Sequence, residues 1–130
     1  MFTSLADVLR DTAYDEIEVV GLGDGGIAFA KGGGSDATVT WTRRLNGREQ
    51  ARLQELIKVL PNGESARCHM PGFGLRIWRG QRQQRVSLCF RCNNAYVADQ
   101  LTTFEASSAE ATELLSFLRA FGPPDVSPSE

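Results

Sequence analysis

Gly74-Leu-Arg-Ile-Trp-Arg79-Gly80-Gln81-Arg82-Gln-Gln-Arg-Val-Ser-Leu-Cys-Phe90 decides the fold. Leu75 and Ile77 alternate with Arg76 and Trp78, and Val86, Leu88 and Phe90 alternate with Ser87 and Cys89. This is the period-two pattern of strands buried on one face. Between the two runs lies a polar turn containing Gly80, so the stretch predicts an antiparallel hairpin with Leu75, Ile77, Val86, Leu88 and Phe90 on its apolar face. If Arg79 pairs with Arg82 across a two-residue turn, His69 falls opposite Cys92 and Cys68 opposite Asn93; a looser turn slides this by a few places. Cys68 lies nearer Cys92 than Cys89 in either case. Pro71-Gly72 must interrupt the first strand, because proline cannot donate to a ladder.

All three cysteines and the only histidine flank this hairpin. Cys89-Phe-Arg-Cys92 has the spacing of a metal knuckle or a redox dithiol. Either role requires the chain to turn there, since residues three apart in a strand face opposite sides. Asn93-Asn94 supplies turn chemistry, because asparagine tolerates the left-handed region. Cys68, His69, Cys89 and Cys92 form a candidate zinc set of the Cys3His type. The alternatives are a disulfide, either Cys68 to Cys92 or within the C-x-x-C, and reduced thiols acting as small core hydrophobes beneath the C-terminal helix. His69 is not placed to serve a Cys68 nucleophile, because strand neighbours point apart. No paired-carboxylate or H-E-x-x-H motif is present, so no catalytic residue is assigned and the chain is read as a non-enzyme.

Cys68-His69-x-Pro71-x-Phe73-Gly74-Leu75-Arg76, followed by a hydrophobic run into Cys89-Phe-x-Cys92-Asn-Asn, resembles a pattern of small uncharacterised bacterial proteins, C-H-x-P-x-x-G-L-R followed by C-[FW]-x-C-x-N. The resemblance implies a bacterial source and a shared hairpin. That group has no established activity, so it assigns no functional residue.

The chain has 130 residues and a net charge of -2, enough length for one domain with a real core. The charge is strongly partitioned. Residues 1–24 carry six acidic side chains against Arg10, residues 43–91 carry eleven basic against three acidic, and residues 92–130 carry six acidic against Arg119. Such segregation marks either a surface that meets a partner or elements that neutralise one another on folding. No apolar run approaches the length of a membrane span, and the first residues lack the basic start and apolar run of a signal peptide. A cytoplasmic, reducing location is the expectation, and an odd cysteine count fits it.

Ser4 with Asp7 predicts a short first helix over 4–12. Glu16–Leu22 is expected as a strand, turned by Gly23-Asp-Gly-Gly26 into a second strand, Ile27–Lys31. The glycines of 21–26 do not make a phosphate loop, because a second glycine cluster at 32–34 follows where a helix would have to begin. Ala37–Thr42 alternates as a third strand. Asn46 with Glu49 is a capping box, and Leu53, Leu56, Ile57 and Leu60 recur at helical spacing, so a helix is predicted over 46–60, ended by Pro61-Asn62-Gly63. Strands are expected at 95–98 and 101–105. A last helix is capped by Ser107, carries a stripe of Ala111, Leu114, Leu115, Leu118 and Phe121, and stops at Gly122-Pro123-Pro124.

The expected fold is α+β: an antiparallel sheet of five or six strands, two longer helices packed on one face, and a short N-terminal helix. Residues 1–124 form the domain and 125–130 a disordered tail. The second face, with Thr38, Thr40, Thr42, Arg76, Trp78, Ser87 and Arg91, is expected to stay wet. The expected function is protein binding through that face and the hairpin tip, with Arg76, Trp78, Arg79, Arg82 and Arg85 as the partner-binding residues. By analogy the partner would be a toxin and this chain its immunity or antitoxin protein. Alternatives are a zinc or thiol-redox protein using Cys68, Cys89 and Cys92, and nucleic-acid binding by the basic hairpin, which the flanking acidic elements disfavour. A homodimer through a free sheet edge is a further expectation.

Overall fold

The computed structural model describes residues 3–10 and 14–122. A six-stranded antiparallel sheet runs through them, formed by β1 (Glu16–Leu22), β2 (Val39–Arg44), β3 (Phe73–Arg79), β4 (Arg82–Cys89), β5 (Asn94–Val97) and β6 (Gln100–Thr103), in the order β2-β1-β3-β4-β5-β6. Three helices, α1 (Leu5–Leu9), α2 (Gly47–Lys58) and α3 (Ala109–Arg119), cover one face. The expected fold class is the one observed. The end of the predicted first helix and the predicted tail, 125–130, lie outside the described residues.

β3 and β4 pair with Arg79 opposite Arg82, Leu75 opposite Val86 and Phe73 opposite Leu88. This is the register of a two-residue turn, and φ is +59° at Gly80 but not positive at Gln81, as in the II′ turn whose twist matches the strands. Leu75, Ile77, Val86 and Leu88 then face the helices, together with Ile17 and Val19 of β1, and all six are buried. Burying one such side chain contributes about 1.5–3 kcal/mol, so this patch is the main adhesive between sheet and helices.

α2 begins at the predicted capping box: the Asn46 side chain accepts from Glu49 N–H at 2.9 Å while Glu49 Oε1 accepts from Asn46 N–H at 2.9 Å. Leu53, Leu56 and Ile57 are buried, and Ile17 N–H donates to Gln50 Oε1 at 3.2 Å, tying α2 to β1. α3 is capped by Ser108 rather than Ser107: Ala111 N–H donates to Ser108 Oγ at 3.0 Å, while Ser107 Oγ donates to Glu105 at 2.7 Å. Ala111, Leu114 and Leu118 are its buried stripe. An Arg52–Glu113 ion pair joins α2 to α3.

The second face is where expectation and structure part. Ile27–Lys31 is no strand; residues 26–29 and 31–33 close as two 3-10 turns. The alternation of Ile27 and Phe29 looks like a strand, but the flanking glycines 25, 32, 33 and 34 all take positive φ, and β1 is already paired on both sides, by β2 and β3. With no edge to join, the segment folds over the sheet and drives Phe29, fully buried, against Val20, Leu22 and Ala30. Glycine at position 74 makes room for it: a β-carbon there would come within 2.8 Å of the Phe29 ring. The second face is therefore covered over Val20, Leu22 and Gly74, while Thr40 and Thr42 of β2 stay exposed as expected. The molecule has three layers, helices, sheet and a short glycine-bounded flap.

Candidate functional site

The two strands of the hairpin carry two cross-strand pairs of arginines, Arg76 opposite Arg85 and Arg79 opposite Arg82. Like charges directly opposite destabilise a sheet, so each pair needs an answer. For the first pair it is internal. Asp36 Oδ1 accepts from Arg76 Nη2 at 2.7 Å and lies 2.9 Å from Arg85 Nη2, and Glu18 accepts from Arg76 Nη1. Both guanidiniums also sit over the Phe29 ring, 5.5 Å and 4.7 Å from its centroid. The hydrogen bond from Arg76 holds the Asp36 carboxyl below its ordinary value. Arg76 and Arg85 are thus fastened into the layer between sheet and flap rather than displayed on an open face.

The second pair has no carboxylate in direct contact, although Asp15 sits at the same turn, where its carboxylate accepts from Gly80 N–H. Arg79 and Arg82 are exposed at the tip, and among the described residues neither guanidinium has an ion-pair or hydrogen-bond partner. They border an open hollow of about 660 Å³ whose other walls include Gly33, Gly34, Gln83 and Asp99. Asp99 Oδ1 accepts from Gly32 N–H at 2.7 Å. Trp78 lies half-buried on the flap side, with the Arg44 guanidinium 5.3 Å from its ring centroid and Glu16 as its cross-strand neighbour. Of the five residues proposed from the sequence, the structure leaves Arg79 and Arg82 free, while Trp78 lies on the other face of β3 under Arg44.

At the other end of the hairpin the Cys68–Met70 segment is held by Asn94, which sequence chemistry alone does not distinguish from Asn93. Asn93 takes the left-handed turn conformation, φ +54°. Asn94 is buried, and its Nδ2 donates to Ser65 Oγ at 2.8 Å, Ala66 O at 3.3 Å and Cys68 O at 2.9 Å. Those contacts fix the amide orientation, so Oδ1 faces His69 and accepts from Nδ1–H at 2.6 Å; Nε2 then accepts from the Ser87 hydroxyl at 2.8 Å. The imidazole packs edge-on against Tyr96, 4.9 Å between centroids.

Burial pulls the His69 pKa below its ordinary 6.5, against the hydrogen bond it donates to Asn94, which raises it, and with Lys31 lowering it further. The folded state therefore binds the proton less readily than the unfolded chain. Stability from this group is complete above pH 6.5 and is lost as pH falls from there toward the folded pKa. Urea titrations across that interval are expected to show this loss in the natural chain, and a His69→Asn variant should lack it; identical pH profiles would contradict the assignment.

Cys68 Sγ lies 3.1 Å from Cys92 Sγ, the approach expected from the hairpin. Cys68 is exposed, whereas Cys89 and Cys92 are buried. The Cys68 pKa is raised by its hydrogen bond to Cys92, and that of Cys92 chiefly by burial. Cys89 pairs with Asn94 across β4 and β5, on the side away from the helices, so of the two thiols expected beneath the C-terminal helix, Cys89 or Cys92, it is not Cys89 that lies there. The four candidate zinc residues do not converge: both ring nitrogens of His69 are committed to Asn94 and Ser87, and among the described residues no three His, Cys, Asp or Glu side chains are grouped to hold a metal ion. Among the described residues no helix is long and apolar enough to cross a membrane.

No protein-family model, no curated protein and no solved structure matches the chain.

Proposed function

We propose that this chain is a non-catalytic protein-binding domain, of the immunity or antitoxin type, which meets an acidic segment of its partner with Arg79 and Arg82. The observation that carries the reading is the uncompensated arginine pair at the tip. An opposed pair of cations costs stability, and three residues back in β3 the same arrangement is neutralised by Asp36. A charge left unanswered in the folded chain is suited to an answer from outside it. Arginine supports this, because its planar fork pairs with carboxylates bidentately and it is enriched at binding hot spots. The neighbouring hollow gives a partner side chain somewhere to go.

The test begins with affinity capture from the source cells and identification of the bound protein. Its Kd is then measured by calorimetry against the natural chain and the Arg79→Glu/Arg82→Glu double variant. The expected result is binding at least about 100-fold weaker for the variant, or about 2.8 kcal/mol, with an affinity for the natural chain that falls as salt rises. An unchanged Kd in the double variant would reject the reading.

A further inference from the structure

We propose that Cys68 and Cys92 are a reversible redox pair, oxidised to a disulfide by exchange with a low-molecular-weight disulfide such as oxidised glutathione. This stands apart from the binding reading and rests on a different part of the molecule. The two sulfurs are 3.1 Å apart although their residues stand 24 positions apart in sequence, so no chain rearrangement is needed to bring them together. Their backbones are each held by hydrogen bonds to neighbouring residues. Ala66 N–H donates to Cys92 O at 2.8 Å, Cys92 N–H to Cys89 O at 3.3 Å, and Asn94 Nδ2 to Cys68 O at 2.9 Å.

The difference in exposure gives the order of events. Cys68 is exposed and Cys92 is fully buried, so the external disulfide meets Cys68 first. The Cys68 thiolate attacks one sulfur of oxidised glutathione, forming a mixed disulfide and releasing one glutathione thiolate. The Cys92 thiol then loses its proton to solvent and attacks the Cys68 sulfur, releasing the second glutathione thiolate. Two protein thiols are oxidised, one glutathione disulfide is reduced to two glutathione thiols, and the two protons lost from the protein are taken up by the leaving thiolates. Proximity favours the second step, because it is intramolecular and the attacking sulfur is already in contact. Cys89 is also near Cys92, but it is buried and therefore not the thiol an external disulfide reaches. With both thiol pKa values raised, little thiolate exists at neutral pH. The exchange rate should climb about tenfold per pH unit over the neutral range.

The bond would close a loop that contains the whole β3–β4 hairpin and staple residues 64–70, which have no regular secondary structure, to the end of the sheet. Constraining the unfolded chain in this way raises the melting temperature, by roughly 5–10 °C for a loop of this size in a domain of this length.

The full-length reduced chain is incubated in glutathione buffers of graded redox ratio, free thiols are alkylated, and the products are mapped by non-reducing peptide mass spectrometry. The expected product is a Cys68–Cys92 cross-link with Cys89 alkylated, a raised melting temperature, and reversal of both by dithiothreitol. A Cys68→Ser variant, altered at an exposed position, should fold as the natural chain does and form no cross-link, and Cys89→Ala should still form it. Three alkylated thiols at every redox ratio, a Cys89–Cys92 cross-link, or a glutathione adduct that persists on Cys68 would each overturn the proposal.

Discussion

Replacing Phe29 by alanine is expected to lower the stability of the folded chain by about 3–5 kcal/mol, read as a drop in the urea midpoint at unchanged slope. Phe29 has no solvent exposure and fills the space above Gly74, where its ring carbons lie within 3 Å of the position a β-carbon would take. It also forms the surface on which the Arg76 and Arg85 guanidiniums rest. Truncation therefore opens a cavity and removes the apolar side of a charge cluster together. Gly74→Ala approaches the same contact from below. Its methyl group would collide with Phe29 and with Val20, 2.9 Å away, and it should cost about 1–3 kcal/mol. A Phe29→Ala loss below about 1 kcal/mol would mean that the flap is not a packed layer.

Arg76→Ala should also be damaging, about 1–3 kcal/mol, because it leaves the part-buried Glu18 carboxylate without its partner. The side chains of Arg76 and Glu18 are only 13% and 14% exposed, and no other described cation is paired with Glu18. Asp36 would keep Arg85, so that half of the cluster survives. Without the hydrogen bond from Arg76, the largest influence depressing the Asp36 pKa disappears and its carboxyl should titrate higher. The contrast is with the tip. Arg79→Ala and Arg82→Ala remove exposed side chains with no partner in the chain, and each should change stability by less than about 0.5 kcal/mol or raise it slightly through relief of repulsion. Equal losses at positions 76 and 79 would remove the distinction between a structural and a displayed arginine.

The features that were legible in the sequence are those whose causes are local. The hairpin register follows from two strands and a two-residue turn, so Arg79 opposite Arg82 needs no information from elsewhere. β1 has the predicted bounds, Glu16–Leu22, and the Asn46–Glu49 box lies within one helical turn. What was missed depends on distant partners. Ile27 and Phe29 alternate as a strand does; only the occupancy of both β1 edges forbids pairing, and that is decided by residues 39–44 and 73–79. Arg76 and Arg85 alternate outward like any surface residue, and the carboxylate that takes them inside comes from Asp36, 40 residues before Arg76. Asn93 and Asn94 are the same residue type in the same pair. The first makes the turn as its chemistry predicts, while the second is a buried bracket whose three acceptors belong to residues 65, 66 and 68. Ser107 and Ser108 posed the same kind of choice between neighbours at the start of α3. The approach of Cys68 to Cys92 was legible because the hairpin brings the chain back on itself. That His69 points away from Cys68 was legible too, from strand alternation; its anchoring by Asn94 and Ser87 was not, because both partners lie on other strands.

The division of the hairpin arginines into a neutralised pair and a free pair is tested most directly by labelling the folded chain with an arginine-selective dicarbonyl and reading each site by peptide mass spectrometry. Arg79 and Arg82 are expected to react at the rate of an unfolded arginine and Arg76 and Arg85 at least about tenfold more slowly, since their guanidiniums are held by Asp36 beneath the flap, and a bound partner should protect Arg79 and Arg82 alone. Equal labelling of all four, or reaction at Arg76 ahead of Arg79, would contradict the account.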